Sequence, residues 1–321
     1  MTRRLIEKLA KRELAGVILP VIIISLVLNF VTEGFLTPFN LDSLARTVAI
    51  TSIVGLSQLL TLSIGQFNLA LGAMGATTGM LLGFLLEAQG VPVMLAILIG
   101  LAAGSILGMV QGILIVKTGI NPFIITLALA SVFLGIATAA TRGQAYFHLP
   151  ESFNLIGKLY IFNIPLLLII AILVAVVVFL IIQRTPLGRQ ILATGANQRA
   201  ALFSGINTNT IIITVHTLSG TLAGLAGMLQ VARLGSAQLS IGADWLLVSF
   251  AAPVLGGTLL SGGKVTVFGT LFGAVLMAII INGLVLINIS SFWFQLFLGI
   301  ILLAAFEVNR IRLQLLGQKG I

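Results

Sequence analysis

The 321-residue chain has no cysteine, only two tryptophans and two tyrosines, and charge on just 8% of its residues. The absence of cysteine excludes disulfides, thiolate metal ligands and thiol nucleophiles. A soluble domain carries roughly three times that share of charge, so a water-soluble fold is excluded as well. The apolar segments are almost free of ionisable groups, with Glu33, Glu87 and Glu307 falling at their ends. Ion-driven carriers place carboxylates or histidine relays within the membrane. Without these, the energy for any transport has to come from another chain. A secondary carrier or channel for a small polar solute is the alternative, and the missing carboxylates weigh against it.

Enzyme signatures are missing too. His148 and His216 have no carboxylate cluster near them, and His216 reads as a hydrogen-bonded packing residue. The stretch from Gly256 to Lys264 looks like a phosphate loop, but Thr258 stands where glycine is required and Val265 where Ser or Thr is. The chain is therefore expected to have no catalytic residues, metal or cofactor, and to bind no ATP itself. The net charge of +9 does not point to nucleic acid, because the basic residues lack aromatic interleaving and sit in linkers and termini.

Apolar residues make up 59% of the chain, with a mean hydropathy of +1.19. They come in runs of about 20, the length of a membrane helix rather than a barrel strand. The fold class is therefore an all-α polytopic membrane protein, one transmembrane domain over 1–321 in contact with lipid. Ten spans are predicted, at 17–33, 45–64, 69–87, 93–116, 122–141, 164–183, 210–232, 246–260, 266–288 and 292–306. No small-x-small cleavage site precedes Glu33, so the first span reads as retained rather than as a signal peptide.

Ten spans put both termini on one side. With that side cytoplasmic, thirteen Lys and Arg lie inside and four outside, as the positive-inside rule requires. Five of the thirteen (Arg3, Arg4, Lys8, Lys11 and Arg12) precede the first span. There Leu5, Leu9 and Leu14 give residues 1–16 the stripe of a helix lying on the cytoplasmic membrane surface. Five plus five spans also permit an inverted repeat.

Gly75, Gly79 and Gly83 recur every four residues on the third span, and Gly100, Gly104, Gly108 and Gly112 on the fourth. Such ladders let helices approach closely, so both are assigned to helix packing, within or between subunits. Gln66, Phe67 and Asn68 lie between Gly65 and Gly72, amid apolar sequence. Amides there must face protein or a wet cavity. Two readings stand: a broken helix lining a substrate pathway, or a plain cytoplasmic turn. The external segment 142–163 is expected to be a solvated loop or a short surface helix.

The longest polar insertion runs from Arg184 to Asn209, with three arginines and no acid. Asn197 is a candidate N-cap, Gln198 to Ser204 holds no helix breaker, and Gly205 sits where a terminating glycine belongs. A capped helix of about two turns on the basic side is suited to docking another protein.

At this point the residues resemble a known family, the permease subunits of bacterial ATP-binding-cassette importers for ribose and related sugars. The likeness rests on Thr185-Pro186-Leu187-Gly188-Arg189, Gly195-Ala196-Asn197, Ala200-Ala201 and Ser204-Gly205-Ile206-Asn207. It continues through GTLAGLAGMLQVAR, from Gly220 to Arg233, and LGGTLLSGGK, from Leu255 to Lys264, then Gly269 and Gly273, and covers roughly 45–306. The resemblance implies a multi-pass protein of the bacterial inner membrane, paired with a second copy or a paralogue. It also implies cytoplasmic ATPase subunits and a periplasmic sugar-binding protein as partners. Arg189, Gly195, Asn197, Arg199, Ala200, Ala201, Ser204 and Gly205 would then belong to the element coupled to the ATPase. One departure stands out: where this group usually has Gly-x-Asp-Leu-Ser-Val-Gly, this chain has Asn68 for the acid and Ala70 for the serine.

Overall fold

The computed structural model describes residues 15–289 together with 293, 296, 297, 299, 300 and 303. Nearly all of the surface helix expected over 1–16, most of the tenth span and the C-terminal basic residues lie outside the described residues. The helices are α1 (Ala15–Val31), α2 (Pro38–Ser63), α3 (Leu71–Gly83), α4 (Val93–Thr118), α5 (Pro122–Thr141) and α6 (Glu151–Lys158). They continue as α7 (Leu166–Arg184), α8 (Pro186–Ala196), α9 (Gln198–Phe203), α10 (Thr208–Leu234), α11 (Trp245–Leu255) and α12 (Val267–Leu286). A π-helical turn, Phe84–Ala88, extends α3. Two short strands, β1 (Tyr160–Ile161) and β2 (Ile164–Pro165), pair antiparallel between α6 and α7. Among the described residues, seven helices are long and apolar enough to cross a membrane, counting α3 with its π turn as one. The protein is thus a mainly helical, multi-pass membrane protein.

Two boundaries differ from the sequence reading. α2 begins at Pro38 rather than near 45, because Thr37 caps it with proline in the first turn. Its early charges are tolerated since Asp42 and Arg46 form an ion pair at 2.9 Å, one turn apart. α11 stops at Leu255, about a turn and a half before 260, where Gly256 packs directly on the backbone of Gly269. The segment 142–163 holds both the surface helix α6 and the first strand of the hairpin.

Burial separates an inner from an outer set of helices. The apolar windows of α2 and α10 are 72% and 61% buried, against 22% for both α4 and α5. α4 and α5 turn Met94, Leu98, Ile124, Leu127 and Ile136 outward, the pattern of surfaces that meet lipid or another helical subunit. α10 is the axis. It packs on α4, α3 and α2, and α2 in turn packs on α11 and α12.

The α4–α10 contact is built on glycine. A Cβ on Gly104 would lie 2.7 Å from the Gly220 carbonyl oxygen, and one on Gly112 would lie 2.8 Å from the Ile213 Cα. Gly108 lies directly against the His216 carbonyl and Gly100 against the Met228 sulfur. On α3, Gly75 meets Trp245 and the Ala223 carbonyl, Gly79 meets Val231, and Gly83 meets Ala237 and Tyr146. Hydrogen atoms at Gly104, Gly108 and Gly112 bring the backbones of α4 and α10 into contact, and the other glycines make room for neighbouring side chains; dispersion and weak polar contacts there replace the hydrophobic drive that lipid cannot supply.

Gly108→Leu should therefore force α4 from α10, with a loss of at least the roughly 1–3 kcal/mol typical of overpacking. Gly135→Leu, where a Cβ would meet nothing within 4 Å, is the control. Thermal unfolding in detergent should show a large drop in midpoint for the first variant and little change for the second.

Candidate functional site

Two of the passes are interrupted in corresponding ways. α2 ends at Ser63, the chain turns at Gly65 (φ 70°), and residues 66–70 run without helical structure into α3. α10 ends at Leu234, residues 235–244 form a second irregular stretch, and the eleven-residue α11 follows. The N-terminal ends of the two short helices meet inside the bundle. Gly72 and Gly242 are in backbone contact, a Cβ on Gly242 lying 2.6 Å from the Gly72 carbonyl oxygen, and Trp245 packs on Gly75. From this meeting point α3 runs toward the end carrying α6. α11 runs the opposite way, toward the end carrying α8 and α9.

Irregular backbone at this depth needs partners, and the sequence provides them. Gln66 N–H donates to the Thr61 carbonyl at 3.0 Å. The Gln58 side chain, fully buried, acts as a strand partner. Oriented to suit its neighbours, it donates to the Asn68 carbonyl at 3.1 Å and accepts from the Asn68 N–H at 3.3 Å. Asn68 itself is 1% exposed; its Oδ1 accepts from Ala70 N–H at 3.0 Å and its Nδ2 donates to Ser219 Oγ at 3.1 Å. Ser57 Oγ donates to the Ser219 carbonyl at 2.7 Å.

Beside it, His216 Nε2 lies 2.8 Å from Gln66 Oε1 and Nδ1 lies 2.7 Å from Gln111 Nε2. An amide oxygen on one side and an amide NH₂ on the other place the ring proton on Nε2. Thus α2, α4, α10 and the 66–70 segment are joined by one buried polar network. Phe67 leans on Phe250 of α11, with ring centroids 5.4 Å apart.

Of the three residues assigned to a substrate pathway, Asn68 is therefore enclosed and committed to intramolecular bonds, while Gln66 and Phe67 are half-buried at its edge. The amide at 68 both accepts from Ala70 N–H and donates to Ser219 Oγ.

The polar insertion folds as two helices. α8, not expected from the sequence, starts at a Thr185 cap whose Oγ1 accepts from Gly188 N–H at 3.2 Å, with Pro186 in its first turn. Gly188 sits against the carbonyls of Ile181 and Ile182, so the chain turns sharply out of α7. Asn197 caps α9, its Oδ1 accepting from Ala200 N–H at 3.0 Å, and Gly205 follows at φ 82°. Arg189, Asn197, Arg199, Ala200, Ser204 and Gly205 are exposed, Gly195 is half-buried, and Ala201 is buried. Two further residues stand out on α9, Leu202 at 58% exposure and Phe203 at 90%. The signal for them was an apolar pair inside a basic loop.

Gly195 joins this surface to the core. It lies directly against the Ser63 carbonyl at the end of α2, and a Cβ there would be 2.6 Å from Gly263 N. Gly263 N–H also donates to the Ser63 carbonyl, at 3.0 Å. A Cβ on Gly65 would lie 2.8 Å from the Ser261 carbonyl oxygen, and one on Gly263 2.8 Å from the Ala196 Cα. Four chain segments thus meet at one glycine-lined joint: the end of α8, the end of α2, the start of the 66–70 segment and the loop before α12.

The family described as branched-chain amino acid transport system / permease component matches residues 40–306. The chain belongs to this family. It is 35% identical over 297 residues to the ribose import permease protein RbsC of Bacillus subtilis (strain 168), covering 92% of each chain. It is 30% identical over 290 residues to the D-allose transport system permease protein AlsC of Escherichia coli (strain K12), covering 90% of this chain and 89% of AlsC. Against the L-arabinose ABC transporter permease protein AraH of Azospirillum brasilense the identity is 31% over 300 residues, 93% of this chain and 88% of AraH. No solved structure matches.

Asn68→Leu would remove the bonds to Ala70 and Ser219 and leave buried groups unsatisfied, at about 1–3 kcal/mol each. A clear fall in unfolding midpoint is expected, whereas Phe203→Ser, on the exposed rim of α9, should leave the midpoint within a degree or two.

Proposed function

We propose that this chain is the membrane permease subunit of an ATP-binding-cassette importer that moves a monosaccharide or related polyol across the bacterial inner membrane. The reading is supported by relatives named for ribose, allose and arabinose over about nine-tenths of their length. The observation that carries it is α9: a capped, basic helix presenting Phe203 and Leu202 to solvent, on a loop keyed to the core through Gly195. An exposed aromatic beside an arginine is the composition of an interface centre.

In this reading the chain is one transmembrane domain over 1–321 with ten spans. Nine passes run through the described helices, α3 and α11 among them, and the tenth covers 292–306. Both termini are cytoplasmic, with the surface helix over 1–16 and the coupling loop 184–209 on that side and the segment 142–163 in the periplasm. The two interrupted passes, running in opposite directions, support a 5+5 inverted repeat. The chain hydrolyses nothing itself. Partner ATPase subunits dock on Arg189, Asn197, Arg199, Ala200, Ser204 and Gly205, with Leu202 and Phe203 at the centre. A second permease copy or a paralogue completes the pathway against lipid-facing helices, and a periplasmic sugar-binding protein delivers the solute.

The glycine joint gives the coupling a physical route. A push on α9 reaches Gly195 and, through it, the Ser63 carbonyl. Ser63 leads through Gly65 to the 66–70 segment, whose far end holds the Gly72–Gly242 contact. Gln66 and Phe67 border the moving segment, while Asn68 anchors it. Closely packed backbones shift between discrete arrangements rather than bending smoothly, so a small displacement at α9 is expressed at the meeting of α3 and α11.

Uptake of ribose by proteoliposomes containing the permease, its ATPase and its binding protein should require ATP, and deletion of 197–205 should abolish it without unfolding the chain. Sugar uptake by the permease without an ATPase would refute the function. Arg199→Glu should weaken ATPase co-purification by an order of magnitude at moderate salt; unchanged recovery would remove that residue from the interface. Gly195→Val, which drives side-chain atoms into Ser63 and Gly263, should leave ATPase bound but reduce uptake per ATP hydrolysed at least tenfold.

A further inference from the structure

A cavity of about 620 Å³ opens at the end of the bundle opposite α8 and α9. It is enclosed by the starts of α2 and α11, the ends of α10 and α12, and the irregular stretch before α11. Its wall carries Ser43, Thr47, Gln230, Arg233 and Asp244, with Trp245 at its base. Gln230 and Arg233 end the stretch Gly220 to Arg233 that carried the family resemblance, whereas Ser43, Thr47 and Asp244 lie in other segments and follow no motif.

The wall is chemically specific. Arg233 is held in place by Nη2, which donates to Thr47 Oγ1 at 2.8 Å and to the Ser43 carbonyl at 3.4 Å. Its Nε and Nη1 have no partner among the described residues and remain as donors. Asp244 makes no side-chain capping bond to α11, and no other described residue donates to or pairs with its carboxylate, which leaves an acceptor open to the cavity. Gln230 and the hydroxyls both donate and accept.

One cation and one anion give the lining no net charge, which favours neither an anionic nor a cationic solute. What matches alternating donors and acceptors around an apolar-floored space is a molecule whose every hydroxyl does both. The volume falls within the range of small-molecule sites and exceeds that of a monosaccharide. A zwitterionic amino acid would also satisfy Arg233 and Asp244, and the protection test with leucine separates the two solute classes.

Position adds to the chemistry. Gly242, in the cavity lining, is the residue in contact with Gly72, so the floor of the cavity is the meeting of the two short helices. A solute held here sits on the contact that the joint at Gly195 and Ser63 is placed to move.

We propose that this cavity is the solute site of the permease in its outward-facing half, and that it takes a neutral polyhydroxylated solute of monosaccharide size, held by Arg233, Asp244 and Gln230. The proposal rests on the sugar-importer reading and assigns the site within it. The absence of native cysteine makes the test direct. Gln230→Cys, inside the cavity, and Ser152→Cys, exposed on α6 at the same end, are reconstituted with ATPase and binding protein. Each is then labelled from the outside with a bulky, uncharged, membrane-impermeant maleimide.

Labelled Gln230→Cys is expected to lose at least tenfold of ATP-driven ribose uptake while still retaining its ATPase, with labelled Ser152→Cys within twofold of wild type. Ribose presented on its binding protein during turnover should slow labelling of Gln230→Cys several-fold, and leucine should not. Should Gln230→Cys not assemble, Ser240→Cys on the cavity's exposed lip replaces it. Asp244→Asn, which adds no volume, should lower uptake several-fold with assembly intact. Full uptake after labelling overturns the cavity assignment, and protection by leucine but not ribose overturns the polyol class. Failure of the unlabelled wild-type complex to import ribose, allose, arabinose or fructose would instead overturn the function proposed above.

Discussion

The structure depends on backbone meeting backbone within the bilayer. With lipid as apolar as the side chains, there is no hydrophobic drive to bring helices together, and association rests on how closely they approach. Gly104, Gly108 and Gly112 let α4 lie directly on α10, and Gly72 and Gly242 let the starts of α3 and α11 touch. The same small residues recur at the glycine joint, where Gly195 and Gly263 close on the Ser63 carbonyl. Helix packing, helix interruption and the joint beneath α9 are therefore one solution used three times.

That closeness creates the second constraint. A chain that leaves the helix at membrane depth exposes N–H and C=O groups that water cannot reach. The 66–70 segment exists because Gln58 pairs with the backbone of Asn68, Asn68 caps the turn into α3, and the Gln66–His216–Gln111 chain ties it to α10 and α4.

Exposure on the two ends of the molecule is of different kinds. On α9 it is aromatic and basic, Phe203 and Arg199 on a helix of six residues that is too short to stand without the joint beneath it. At the opposite end it is concave and mixed, with Arg233 and Asp244 in one polar cavity. One surface is convex and apolar-basic, and the other is concave and polar. The glycine joint and the α3–α11 contact lie between them.

Much of this was legible in the chain itself. Low charge and long apolar runs determined a helical membrane protein, since only backbones satisfied within their own segment survive in lipid. Local signals also placed the α9 cap at Asn197 and the glycine faces of α3 and α4, because capping and four-residue spacing are properties of neighbours in sequence. The early start of α2 and the whole of α8 were not foreseen; an ion pair between Asp42 and Arg46 one turn apart, and the contacts of Gly188 and Gly195 with α7 and α2, make these residues compatible with helix. What only the tertiary structure decided is where each polar group points. Whether Asn68 faces a solute or Ser219, and whether Ser43, Gln230 and Asp244 share one cavity, depends on contacts between residues up to two hundred positions apart, and no local pattern encodes those.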